Sequence, residues 1–104
     1  MIRSEGKNIG RLKYVCAAHY RRFGEWPTYV RMQPIILWDL MISLGETQFQ
    51  SLAGRLKLST RKKWGLGVGS RRGFTDYDDA SLAGVSADMA DEWLGVRLYD
   101  WPDE

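Results

Sequence analysis

Residues 28–44, TYVRMQPIILWDLMISL, decide the fold, because the hydrophobic pattern changes its period within them. Aromatic and β-branched residues alternate with other types from Thr28 to Met32, which predicts a short strand. Pro34 suits the first turn of a helix, where a missing N–H leaves no bond unmade, and Gly45 suits the left-handed position, with positive φ, after the last turn. The stretch therefore predicts a strand that leads directly into a helix of about Pro34 to Leu44.

Apolar spacing on either side of this stretch predicts the remaining elements. Recurrence at helical spacing predicts further helices over Ile9 to Phe23, Thr47 to Arg55 and Ala87 to Leu94. Alternation predicts further strands over Leu56 to Thr60, Trp64 to Gly69, Phe74 to Asp78 and Val96 to Tyr99, the middle two forming a hairpin. This order predicts a single α+β domain over residues 1–104. We expect a small antiparallel or mixed sheet of about four strands, with three to four helices packed mainly on one face.

The composition is typical of a folded chain without a membrane anchor. With 104 residues and 44% apolar side chains, one hydrophobic core is expected. The longest nearly apolar run, Pro34 to Leu44, is far shorter than the roughly 20 residues that cross a membrane. The N-terminal residues lead into no apolar segment of a secretory signal, and the lone Cys16 fits a reducing compartment. We therefore expect a cytoplasmic protein with no membrane partner.

Charge is unevenly distributed along the chain. Residues 1–75 contain fourteen Lys or Arg against four Asp or Glu, whereas residues 76–104 contain one against nine. A basic cluster with one tryptophan surrounds the predicted hairpin: Arg61, Lys62, Lys63, Trp64, Arg71 and Arg72. Basic side chains beside an exposed aromatic favour a nucleic-acid or acidic-protein contact, and nucleic acid would bind weakly, with salt sensitivity and no sequence preference. The alternatives are a solvated sheet edge defended by Lys and Arg, or neutralisation by the acidic C-terminal third.

Cys16 and His19 could together supply a nucleophile and a base. They lie three residues apart on the apolar stripe of the first predicted helix, so both could face one place. The alternative is core packing, in which the thiol behaves as a small hydrophobe and the imidazole finds a hydrogen-bond partner. Core packing is the stronger interpretation, and a single His with a single Cys does not complete a metal set.

Glycines recur from Gly65 to Gly73, which suggests a phosphate-binding loop. The run lacks the Gly-Lys-Ser/Thr ending of such a loop, and no helix clearly begins there. Alternating glycines in a strand instead mark a place where another backbone or a bulky ring lies over the sheet. The carboxylates between Asp76 and Glu92 match no calcium loop either. The sequence therefore predicts no catalytic residue, no cofactor and no metal site.

The predicted helix of Pro34 to Leu44 is apolar nearly all round, with only Asp39 and Ser43 polar. A helix that packs one face on its own sheet needs an apolar stripe only somewhat over 100° wide. The surplus apolar surface predicts a two-fold homodimer interface with four candidate residues: Ile35, Trp38, Met41 and Ile42.

The segment Trp26-Pro27-Thr28-Tyr29-Val30-Arg31, followed by the apolar helix and by Leu52-Ala53-Gly54-Arg55-Leu56, carries a resemblance. It resembles small uncharacterised bacterial proteins with a Trp-Pro-Thr-x-Val-Arg core, of the kind carried on mobile elements such as integron gene cassettes. The resemblance implies a bacterial accessory protein of the cytoplasm that binds a partner or itself. It implies no activity and no functional residues.

These patterns favour a small non-enzymatic interaction module that associates with itself and, as a further candidate, with another protein. The alternative is a nucleic-acid-binding domain that uses the basic hairpin of Arg61 to Arg72. A small-molecule-binding or hydrolytic role for Cys16 and His19 comes third.

Overall fold

The computed structural model describes residues 7–80 and 90–94. Two long helices, α1 (Lys7–Phe23) and α2 (Pro34–Arg55), accompany four strands. The strands are β1 (Tyr29–Met32), β2 (Lys57–Thr60), β3 (Leu66–Ser70) and β4 (Gly73–Asp76). Two short helical segments of four residues each, α3 (Tyr77–Ala80) and α4 (Asp91–Leu94), follow β4.

The four strands form one mixed sheet in the order β2-β1-β3-β4. β1 pairs with β2 in parallel, with Val30 opposite Leu58, because the intervening α2 carries the chain back to the same end of the sheet. β1 pairs with β3 in antiparallel fashion, with Val30 opposite Val68, and β3 pairs with β4 in the same way, with Val68 opposite Thr75. The predicted mixed α and β architecture with a four-stranded mixed sheet is confirmed.

The prediction of three to four helices is wrong, because only α1 and α2 among the described helical elements are longer than four residues. The helices expected over Pro34 to Leu44 and Thr47 to Arg55 form one element, which is kinked at Gly45 with φ 77° and ψ 170°. The positive φ does require a glycine, but helical structure resumes at the next residue. Of the helix predicted over Ala87 to Leu94, the structure describes Asp91–Leu94 as helical, and the strand predicted over Val96 to Tyr99 lies outside the described residues.

The predicted hairpin exists with shifted ends. β3 begins at Leu66 rather than Trp64, because Gly65 has φ 85° and leaves the extended conformation. β4 ends at Asp76 rather than Asp78, because the Asp76 carboxylate accepts a hydrogen bond from the Asp78 backbone N–H at 3.4 Å where α3 begins.

One hydrophobic cluster joins the sheet to both long helices. The side of the sheet that carries Val30 and Val68, here called the inner face, is fully buried at both residues. α1 lies against β3 and β4, and α2 lies against β2. The buried helical members of this cluster are Ile9, Leu12, Val15, Cys16 and Ala18 from α1 and Ile36, Leu40, Leu44 and Leu52 from α2.

Candidate functional site

The first half of α2 divides into a buried side and an exposed side. Ile36, Leu40 and Leu44 are at most 7% exposed and face the core. The four predicted interface residues lie on the exposed side, and together they are called the α2 stripe: Ile35 (63% exposed), Trp38 (58%), Met41 (41%) and Ile42 (60%). The spacing of Ile35, Trp38 and Ile42 by three and four residues keeps these side chains on one side of the helix.

The polar residues of this helical segment do not interrupt the α2 stripe. Asn8 of α1 donates a hydrogen bond from its side-chain amide to the Asp39 carboxylate at 2.8 Å. This bond holds Asp39 against α1, on the flank of α2. Ser43 follows one turn later, and its hydroxyl is buried. The exposed side of α2 therefore presents an apolar surface bounded by polar groups that point elsewhere.

Trp64 is the most exposed large apolar residue described, at 70%. It precedes Gly65, whose carbonyl accepts a hydrogen bond from the Gln33 backbone N–H at 3.3 Å. Since Gln33 caps α2, this bond places Trp64 near the N-terminal end of that helix. Trp64 also lines a cavity of about 130 Å³ with Arg11, Ile36 and Tyr77.

Two of the predicted basic residues converge on one carboxylate. Arg61 and Lys63 donate hydrogen bonds to the same carboxylate oxygen of Asp76, at 2.8 and 3.2 Å. Burial raises the pKa of Asp76, but these hydrogen bonds outweigh burial and hold the pKa below its ordinary value. Asp76 therefore stays ionised and neutralises part of the basic cluster.

Arg71 and Arg72 lie at the turn between β3 and β4, at the other end of β3 from Arg61. Both guanidinium groups face Glu25, at 3.7 and 3.5 Å, and Arg72 also donates to the Phe23 carbonyl at 3.1 Å. A hydrogen bond from Ser70, aided by the two arginines, holds the pKa of Glu25 below its ordinary value. The predicted basic residues thus form two groups at opposite ends of the hairpin, and Lys62 is exposed beside the first.

His19 is fully buried and is held by hydroxyl groups of the sheet. Its Nε2 lies 2.9 Å from the Ser70 hydroxyl oxygen, and its Nδ1 lies 3.0 Å from that of Thr75. Burial lowers the pKa of His19; Glu25 raises it and Arg22 lowers it further. Both ring nitrogens are therefore committed to β3 and β4, and the ring is held neutral.

Cys16 lies one turn before His19 and is also fully buried. Burial raises the pKa of its thiol well above the ordinary value, so the thiol is held protonated. Since both nitrogens of His19 bond to Ser70 and Thr75, the ring offers Cys16 no base. Cys16 therefore packs in the core, and His19 belongs to a buried polar network with Ser70 and Thr75.

The side of the sheet opposite the core carries two aromatic residues that the sequence analysis did not identify as site residues. Tyr29 of β1 and Phe74 of β4 have ring centroids 6.2 Å apart and planes inclined by 25°. The strand between them is β3, which has Gly67 and Gly69 on this side. The expectation that alternating glycines mark a place where a bulky ring lies over the sheet is confirmed.

Neither a metal-binding cluster nor a membrane-spanning helix is found in residues 7–80 and 90–94. Over these ranges no group of three or more His, Cys, Asp or Glu side chains is placed to hold a metal ion. Within the same ranges no helix has both the length and the apolar character needed to cross a bilayer.

Comparison with protein-family models, with curated proteins and with solved structures found no match.

Proposed function

We propose that the protein is a small non-enzymatic interaction module that associates with a second copy of itself through the α2 stripe. The observation that carries the proposal is the exposure of Ile35, Trp38 and Ile42, each at 58% or more, on a helix whose opposite side is in the core. Scattered apolar residues are common on protein surfaces, but these are contiguous along two turns of one helix. Burial against a partner would remove this surface from water.

A second copy is the occupant that the chemistry of the stripe favours. The stripe carries no charge, so pairing it with itself brings no like charges together. A two-fold axis through such a patch lets one surface satisfy both chains. The distance from Ile35 to Ile42 corresponds to about 10 Å along the helix axis, enough for two helices to cross with interlocking side chains.

The test is the solution mass by light scattering over roughly 1–200 μM, which covers typical affinities of small dimers. We expect a mass approaching twice 12.0 kDa for the unmodified chain. The double variant Trp38→Lys/Ile42→Lys should remain at the monomer mass, because four like charges would face one another across the axis. Circular dichroism and urea unfolding would establish that the variant is folded.

The matched control is Thr47→Lys/Ser51→Lys, which adds the same charge at two exposed positions in the second half of α2. This variant should keep the mass of the unmodified chain. A monomer for the unmodified protein over the whole range, or an unchanged mass for the Trp38→Lys/Ile42→Lys variant, would refute the proposed interface.

A further inference from the structure

The outer face of the sheet, defined as the side opposite Val30 and Val68, is built around two rings lying on glycine. A side chain at Gly69 would collide with the ring of Tyr29, and one at Gly67 would collide with the ring of Phe74. One face of each ring therefore packs against the backbone of β3. Both residues that carry these rings are partly exposed.

Cationic groups accompany both rings. The Arg31 guanidinium carbon lies 5.4 Å from the centroid of the Tyr29 ring, and that of Arg61 lies 6.0 Å from the centroid of Phe74. Both distances are within the range of cation–π attraction. Guanidinium groups and aromatic rings therefore lie together on this face.

The charge of this face is positive. Strand register places Arg31 and Lys57 on it, and both are exposed. Asp76 is the carboxylate that register places on the same face, and it is already bonded to Arg61 and Lys63. Among the residues that the structure describes on this face, the four cations Arg31, Lys57, Arg61 and Lys63 stand against one anion, a surplus that favours a polyanion.

We infer that the outer face binds single-stranded nucleic acid, with about one unpaired base on each ring and the phosphates beside Arg31 and Lys57. Every base has a π-face, so two rings on a sheet accept bases without regard to sequence. A duplex keeps its bases stacked inside, where flat rings on a sheet do not reach them. Aromatic stacking together with surplus positive charge therefore selects the single strand over the duplex. The surface is distinct from the α2 stripe, so either proposal can fail without the other.

The test is fluorescence anisotropy with labelled dT12, labelled rU12 and a 12-base-pair duplex, using the full chain at 50 and 200 mM salt. We expect binding of one or both single strands, at least tenfold tighter than binding of the duplex. Raising the salt should weaken single-strand binding on the order of tenfold if about three phosphates are contacted. Equal affinity for duplex and single strand, or no binding of either single strand, would overturn the inference.

Substitutions distinguish the contribution of ring stacking to the binding affinity from that of positive charge. Tyr29→Leu and Phe74→Leu keep an apolar group over the glycines but remove the π-face, and each should weaken binding by about 5- to 150-fold. Binding by these folded variants that matches the unmodified chain would overturn the stacking role. Inorganic polyphosphate, which has no bases, should compete at least tenfold less well than unlabelled dT12. Equal competition would also overturn it.

A charge-matched pair keeps the test decisive if the leucine variants unfold. Arg31→Gln/Lys57→Gln removes two cations from the outer face, and Arg71→Gln/Arg72→Gln removes two cations from the turn beside Glu25. The first variant should lose at least five times more affinity than the second, because its charges lie beside the rings. Equal losses would indicate general attraction to a basic protein and would overturn the proposed site.

Discussion

The two faces of β3 achieve burial in opposite ways. On the inner face the strand supplies its own side chains, Leu66, Val68 and Ser70, which are at most 8% exposed. On the outer face it supplies only Gly67 and Gly69, and rings from the neighbouring strands lie over its backbone. The inner face fixes the fold by filling space between elements that are far apart in sequence. The outer face instead gathers aromatic and basic groups at a partly exposed surface.

Removing a side chain from the inner face should have the largest effect on stability. Leu66 is 1% exposed and belongs to the cluster that joins the sheet to both long helices. Leu66→Ala should lower the free energy of unfolding by about 2–5 kcal/mol, because the removed methyl groups leave a cavity. Urea unfolding followed by circular dichroism measures the loss. Lys62→Ala, an exposed change in the preceding loop, is the control and should stay within about 0.5 kcal/mol of the unmodified chain.

Adding a methyl group to the outer face should have an intermediate effect. Gly67→Ala would force the Phe74 ring off the backbone, and overpacking of this kind costs about 1–3 kcal/mol. Replacing glycine also restricts the unfolded chain, which offsets about 0.4–1 kcal/mol. We therefore expect a net loss of about 1 kcal/mol in the free energy of unfolding, within a range of about 0–2.6 kcal/mol.

A double-mutant cycle shows whether the ring is the cause of that loss. Phe74→Leu shortens the group over Gly67, so the double variant Gly67→Ala/Phe74→Leu should be more stable than the two single losses predict. If the losses simply add, the ring does not rest on this glycine, and the contrast between the two faces fails.

Local patterns in the sequence were sufficient to predict most elements. The alternation before Pro34 and the apolar run after it correctly placed β1 and the first half of α2. The glycine at position 45 was correctly expected to have positive φ, yet the chain re-enters a helix there, so two predicted helices became one. Whether a helix ends at a glycine depends on the conformation of the next residues as well as on the glycine itself. The apolar periodicity of Thr47 to Arg55 gave no indication that the two helical segments are continuous.

Contacts between distant residues could not be predicted. His19 bonds to Ser70 and Thr75, which lie 51 and 56 positions along the chain, because α1 packs on β3 and β4. Ser70 and Thr75 belong to no spacing pattern in the sequence that would identify them as hydrogen-bond partners of His19. Likewise, the capture of Arg61 and Lys63 by Asp76 depends on the register of the hairpin. The rings on the outer face are an intermediate case, since the glycines indicated a covering group but not which residues provide it.

The smallest expected effect is a pH dependence that belongs to the inner face alone. Because burial holds the pKa of His19 below its ordinary 6.5, the unfolded chain takes up a proton there before the folded chain does. Stability is therefore unaffected well above pH 6.5 and falls as the pH drops below it, by at most about 1.4 kcal/mol per pH unit for one proton. His19→Gln, which does not titrate, should remove this slope between pH 7 and 5. The carboxylates Glu25 and Asp76 do not affect the slope between pH 7 and 5. Their pKa values lie below the ordinary 4.5 and 3.8, so the stability that they contribute is lost only at lower pH. Urea midpoints at pH 7.5, 6.5 and 5.5 measure the difference, and identical slopes for the two proteins would mean that the imidazole accepts a proton within the folded network.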